Sequence, residues 1–201
     1  INPILKTAWP FALASSLGAI MINTDTILIG WLQNASEVGF YSAAQRPVQL
    51  LYVLPTLFAV SLFPNFSRLA KENKDEFKKM LLMSLKIAIA AALPIAIIGI
   101  VFGKEIISLL FGPEYQNAIL PFQILMSTIL IIFPSAIINN AILAADQQKN
   151  FIIFSAIGAC GNIILDIILI PAYGIAGCAV ATILTQIIAN SFTWHRLKKV
   201  L

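Results

Sequence analysis

Hydrophobic residues run in six long blocks, approximately 8–32, 38–66, 80–103, 118–145, 150–170 and 175–196, separated by short polar breaks. Each block reaches or exceeds the ~20 residues that a helix needs to cross a ~30 Å hydrocarbon core. The longer ones must tilt, kink or extend past the headgroups. The pattern predicts an all-α fold, a polytopic membrane bundle of six transmembrane helices. Prolines interrupt several of the blocks, among them Pro47, Pro55 and Pro64 in the second, Pro94 in the third and Pro134 in the fourth. In a water-soluble helix each would cost about 3 kcal/mol. In a membrane bundle neighbouring groups satisfy the freed carbonyls, and such kinks suit helices that move or open a cavity.

Helical position separates lipid-facing from interior surfaces. At 100° per residue, Tyr41, Ser42, Gln45, Arg46, Gln49, Tyr52 and Thr56 of the second block share an arc of about 140°. Phe40, Ala44, Leu51, Leu54, Phe58 and Leu62 fall opposite. Interhelical hydrogen bonding needs one or two such polar residues; a stripe of this length with an arginine points instead to a wet cavity. Weaker polar stripes are Ser16 with Asn23; Thr128, Ser135, Asn139 and Asp146; Ser155, Asn162 and Asp166; and Thr182, Gln186, Asn190 and Thr193. The third block carries nothing polar from Ile87 to Val101 and reads as a lipid-facing strut. Gly158, Gly161, Gly174, Gly177, Ala176 and Ala179 predict close packing of the last two helices.

Charges within membrane spans are functional by default, since each costs at least ~2.5–3.5 kcal/mol at mid-depth. Asp25 and Arg46 stand out. Counted from the turn between their helices at ~1.5 Å per residue, both lie about 10–12 Å below the same membrane surface. They could form an ion pair, or Asp25 could take a coupling proton while Arg46 holds an anion. Arginine suits phosphate because its planar fork binds two oxygens and stays charged. Asp166 lies nearer a helix end and reads as an interfacial cap.

Composition supports the membrane class. Hydrophobic residues make up 59% and charged residues 11%, with mean hydropathy +0.90, against about 25% charged residues in soluble domains. The net charge of +4 could suggest nucleic acid, but the cations sit in the polar breaks, which excludes a basic binding face. Lys6, Arg68, Lys71, Lys74, Lys78, Lys79, Lys86, Lys149, Arg196, Lys198 and Lys199 share one side if six helices alternate; Lys104 alone takes the other. That bias places both termini in the cytoplasm of a cell-membrane protein. On the outer side, GKEIISLLFGPEYQ (103–116) predicts a short interfacial helix followed by a tight Gly112-Pro113 turn.

No catalytic constellation is present in the sequence. His195 is the single histidine and stands in the basic tail, and there is no phosphate-cradling Gly-rich loop and no serine with a plausible base. Cys160 and Cys178, both inside hydrophobic blocks, read as small core residues. Neither an enzyme, a cofactor nor a metal site is expected. The chain opens on Ile1 without a signal-peptide pattern, which suggests a piece of a longer protein.

Three stretches resemble the multidrug/oligosaccharidyl-lipid/polysaccharide exporter superfamily, and within it the O-antigen and capsule type flippases. They are DTILIGWLQNASEVGFYSAAQRPVQLLYVLPTLFAVSLFPNFSRL from Asp25 to Leu69, LLFGPEYQNAILPFQIL from Leu109 to Leu125, and NFIIFSAIGACGNIILDIILIPAYGIAGCAVATIL from Asn150 to Leu184. The resemblance implies that the six helices are the C-terminal lobe of a two-lobed transporter, partnered by an N-terminal lobe of the same chain and by membrane lipid. It implies a cavity lined by the first two helices, with Arg46, Gln45, Gln49, Tyr41, Tyr52 and Asn23 facing substrate and Asp25 binding a coupling ion or pairing with Arg46. The implied substrate is a lipid-linked oligosaccharide carried on a pyrophosphate lipid. Multidrug antiporters and peptidoglycan-precursor flippases are relatives, and a non-transporting membrane scaffold is the alternative from another class. Asp166 departs from the family, which more often has an uncharged polar residue there.

Overall fold

The structure, a computed structural model, describes residues 23–145 and 149–200, with side chains in the last helix described from 158 to 191. The expectations for Lys6, Ser16 and Asp146, and for the side chains of Lys149, Ser155, Thr193, His195 and the C-terminal basic run, lie outside the described residues.

Every regular element among the described residues is helical. Residues 23–32 form α1. Then come α2 (Ala35–Leu51), α3 (Val53–Glu72), α4 (Lys74–Val101), α5 (Gly103–Phe111), a 3-10 turn (Pro113–Ala118), α6 (Ile119–Ser127), α7 (Ile129–Ala144) and α8 (Lys149–Val200). Side-chain caps set two of the starts. Asn34 Oδ1 accepts from the Glu37 amide at 3.0 Å, and Asn73 Oδ1 accepts from the Asp75 and Glu76 amides at 3.1 Å. The acidic residues in those first turns oppose the positive end of the helix dipole.

Among the described residues four helical runs are long and apolar enough to cross a membrane, Ala35–Glu72, Lys74–Val101, Pro113–Ala144 and Gly158–Ser191, and two of the expected blocks are broken. The second block is two helices: α2 and α3 make one 38-residue run from Ala35 to Glu72, broken at Tyr52. The break places Pro55 in the first turn of α3, where a missing N–H leaves no carbonyl unpaired. Pro121 occupies the corresponding turn of α6, and the fourth block breaks again at Thr128. At both breaks the backbone tightens to an i to i−3 bond, Tyr52 to Gln49 at 3.1 Å and Thr128 to Leu125 at 3.0 Å.

The 52-residue α8 is a hairpin. A straight helix would put residues 166 and 178 about 18 Å apart, yet ligating atoms of Asp166 and Cys178 lie within 4.8 Å. The reversal is at Gly174, which has φ +59° and ψ −144°, a conformation open to glycine and strained for other residues. A Cβ at Gly177 would run into the carbonyl of Leu169, so the two arms approach to backbone contact. The break expected between the fifth and sixth blocks is observed; of the glycines expected to pack closely, Gly177 does so, while a Cβ at Gly161 or Gly174 would meet open space.

α7 packs against α3 and α4, α6 packs against α2, α4 and α8, and α8 also touches α7. The core includes Phe66, Phe77, Leu81, Phe122, Ile129, Ile137 and Ile138. The third block is mostly exposed, as a lipid-facing strut would be, with one narrow buried face. One face of α4, with Ile87, Leu93 and Ile97, is exposed and suits lipid. The other buries Ser84, Ala88, Ala92 and Ala96 at four-residue spacing, so helices α6 and α7 can approach closely. The interfacial helix is present as α5, followed by Gly112 at φ +97°. Leu109 and Leu110 of α5 and Trp31 at the end of α1 are exposed, as membrane-embedded apolar side chains would be.

Candidate functional site

α1, α2, α6 and both arms of α8 surround a cavity of about 160 Å³. Its wall is made by Asp25 from α1, Gln45, Val48 and Gln49 from α2, and Tyr52 at the break. Leu125 of α6, Asn162 of the first α8 arm, and Thr182, Thr185 and Gln186 of the second complete it. The helical spacing explains the grouping: Gln45, Val48, Gln49 and Tyr52 recur at three and four residues, as do Thr182, Thr185 and Gln186. Four of the expected site residues, Asp25, Gln45, Gln49 and Tyr52, come together here.

Three others do not. Tyr41 is fully buried behind the wall, where its hydroxyl donates to Asp25 Oδ2 at 2.7 Å. Arg46 is exposed and follows Gln45 by one residue, a 100° rotation that turns it out of the cavity. Asn23 is exposed and lies off the lining. The ion pair between Asp25 and Arg46 is not formed either. Asp25 takes hydrogen bonds from Tyr41 and from Thr182 Oγ1, the latter at 3.2 Å, and the salt bridge seen among the described residues is Arg68 with Glu72.

Asp166 is the largest correction. The hairpin carries it into the bundle, where it is fully buried, with neither carboxylate oxygen meeting a hydrogen-bond donor. It is no interfacial cap. Its carboxylate, that of Asp25 and the Cys178 sulfur offer ligand atoms that all lie within 4.8 Å of one another. Two carboxylates this close in a membrane interior repel unless a cation or a proton lies between them. Hard oxygens of Asp25 and Asp166, with the Thr182 hydroxyl at the edge, suit a small hard cation better than a soft metal; the thiol contributes little to such a site. Asp25 belongs both to this pair and to the cavity wall.

The break between α2 and α3 is joined to the break between α6 and α7. Tyr52 and Thr128 hydroxyl oxygens are 2.5 Å apart. Thr128 commits its one proton to the Leu125 carbonyl, so Tyr52 is the donor. Thr185 was not singled out in the sequence, although its place one turn from Thr182 and beside Gln186 was the available signal.

A family model described as polysaccharide biosynthesis protein matches residues 1–120, more than half of the chain. The chain belongs to that family. Among curated relatives it is similar to the probable flippase AglR of Haloferax volcanii, 28% identical over 87% of this chain and 37% of that protein. Its fold matches that of the lipid II flippase MurJ in the inward closed conformation, with TM-score 0.81 and 22% identity over 98% of this chain and 43% of that one. A crystal structure of MATE in complex with MaD3S gives TM-score 0.83 at 20% identity over 96% of this chain and 45% of that one. The chain thus spans less than half the length of the relatives it matches. The protein is an all-α, multi-pass membrane bundle with the fold of one half of a MATE- or MurJ-type transporter.

Proposed function

We propose that this bundle is the C-terminal lobe of a flippase that carries a lipid-linked oligosaccharide out across the cell membrane for polysaccharide assembly. Both termini lie in the cytoplasm, and an N-terminal lobe of the same protein supplies the opposite wall. The observation that carries the reading is a polar cavity sharing one carboxylate with a buried acidic pair, inside a bundle that otherwise turns apolar side chains to lipid. Such a pair is costly in a bilayer and suits a coupling cation or proton, whose arrival and departure would bias the hairpin arms and α1 between two packings. Arg46, exposed beside the cavity and without an ion-pair partner among the described residues, suits the pyrophosphate. A multidrug antiporter is the second reading, favoured by the carboxylates, which would attract an organic cation.

Flipping of a fluorescent lipid-linked oligosaccharide by the full-length protein in liposomes tests this. Asp25→Asn and Asp166→Asn should each abolish ion-driven transport while expression persists. Arg46→Ala should abolish it too, and Arg46→Lys should impair it by losing the two-toothed grip. Extrusion of cationic dyes with no flipping of the lipid would establish the antiporter instead.

A further inference from the structure

Among the described residues the cavity wall is uncharged apart from Asp25. Its polar groups are the amides of Gln45, Gln49, Asn162 and Gln186 and the hydroxyls of Thr182 and Thr185. Two of these reach the end of folding without a partner: Thr185 Oγ1 and Gln186 Oε1 are buried and unbonded, and Thr185 as a whole is 6% exposed. An amide offers both donors and an acceptor, and a threonine hydroxyl is both at once. That is the complement of a ligand whose every polar group is itself a donor and an acceptor. The remaining wall is apolar: Val48, Leu125 and the ring of Tyr52, whose hydroxyl is already committed to Thr128.

Charged ligands fit poorly. A phosphate would approach the Asp25 and Asp166 carboxylates with no cation among the described wall residues to receive it. A bulky organic cation would find one carboxylate, buried and already accepting from the Tyr41 hydroxyl, with a share of the Thr182 proton. The volume walled by this lobe alone is about 160 Å³. It is on the scale of one sugar ring, which presents a rim of hydroxyls and an apolar face of C–H bonds.

Resting on the flippase reading, we infer that this cavity is the sugar-reading subsite: it binds one uncharged sugar ring through Gln45, Gln49, Thr185 and Gln186. The anion stays outside, on the face that carries Arg46. The lobe then divides recognition, with Arg46 sensing the constant lipid pyrophosphate and the cavity sensing the variable glycan.

Two probes separate these roles in the full-length protein in liposomes: a polyprenyl pyrophosphate bearing one neutral hexose, and the same lipid without sugar. Gln186→Leu and Thr185→Val should each weaken binding of the sugar-bearing lipid about tenfold, a loss of one ligand hydrogen bond. Binding of the bare lipid should stay within about twofold by the same measure. Thr185→Ser, which keeps the hydroxyl, should restore the wild-type preference. Arg46→Gln should weaken both lipids alike. Equal losses for the two lipids in Gln186→Leu and Thr185→Val would overturn the subsite, as would displacement of the sugar-bearing lipid by tetraphenylphosphonium at those residues. A wild type that flips both lipids with no preference would sink the subsite and leave the flippase reading standing. A wild type that binds neither would overturn both.

Discussion

The two sides of the bundle treat proline and polar groups in opposite ways. On the strut side, α4 runs unbroken for 28 residues through Pro94, and its interior face is a ladder of small side chains. On the cavity side, two crossings are interrupted, at Tyr52 and at Thr128; Pro55 follows the first break by three residues, whereas Pro47 and Pro134 lie inside unbroken α2 and α7 as Pro94 does in α4. The difference is what the freed backbone can bond to. Around Tyr52 the Thr56 hydroxyl donates to the Tyr52 carbonyl at 2.8 Å, and around Thr128 its own hydroxyl serves Leu125 at 2.5 Å. The two break residues then bond each other. In hydrocarbon an unpaired carbonyl is too costly to keep, so helices break where hydroxyls stand ready to satisfy the ends. Proline alone does not decide it.

The largest contrast should appear in solvent access. In a Cys160→Ala background, cysteines at Gln45 and Gln49 should react with a water-soluble thiol reagent, while a cysteine at Ile97 on the lipid face of α4 should not. Comparable labelling rates at all three would erase the distinction between the sides.

Glycine tolerance is the next difference. A methyl at Gly177 meets the backbone carbonyl of Leu169, which cannot step aside. A methyl at Gly99 meets the side chain of Met126, which can re-rotate. Gly177→Ala should cost about 3 kcal/mol and Gly99→Ala about 1 kcal/mol, the upper and lower ends of typical overpacking penalties. Thermal unfolding in detergent reads both, and a reversed order would mean that the hairpin arms are further apart than described.

The smallest effect belongs to the coupled breaks. Tyr52→Phe and Thr128→Val should each cost about 0.6 kcal/mol, the average for an interhelical hydrogen bond in a membrane protein. The double change should cost less than their sum, because the two residues share one bond. Additive losses would show that the breaks are independent.

Much of the architecture is readable from Ile1 to Leu201. Six apolar blocks, each long enough to span a bilayer, force an α-helical bundle because no other open backbone satisfies itself in lipid. The break between the fifth and sixth blocks, the short helix α5 and the face of α2 carrying Gln45, Gln49 and Tyr52 follow from local pattern, and periodicity of 3.6 residues projects directly onto a helix surface. What the pattern could not supply is which faces meet. Asp166 stands near a block end and looks like a cap until the hairpin at Gly174 brings it beside Asp25, 141 positions earlier in the chain. Tyr41 and Arg46 share an arc with Gln45 on paper, yet α1 and α8 cover Tyr41 while Arg46 is left exposed. Local sequence determines the direction in which a side chain leaves its own helix. Whether that direction ends in lipid, in a cavity or against a buried carboxylate is decided by the neighbouring helices, through packing contacts between residues far apart in the chain.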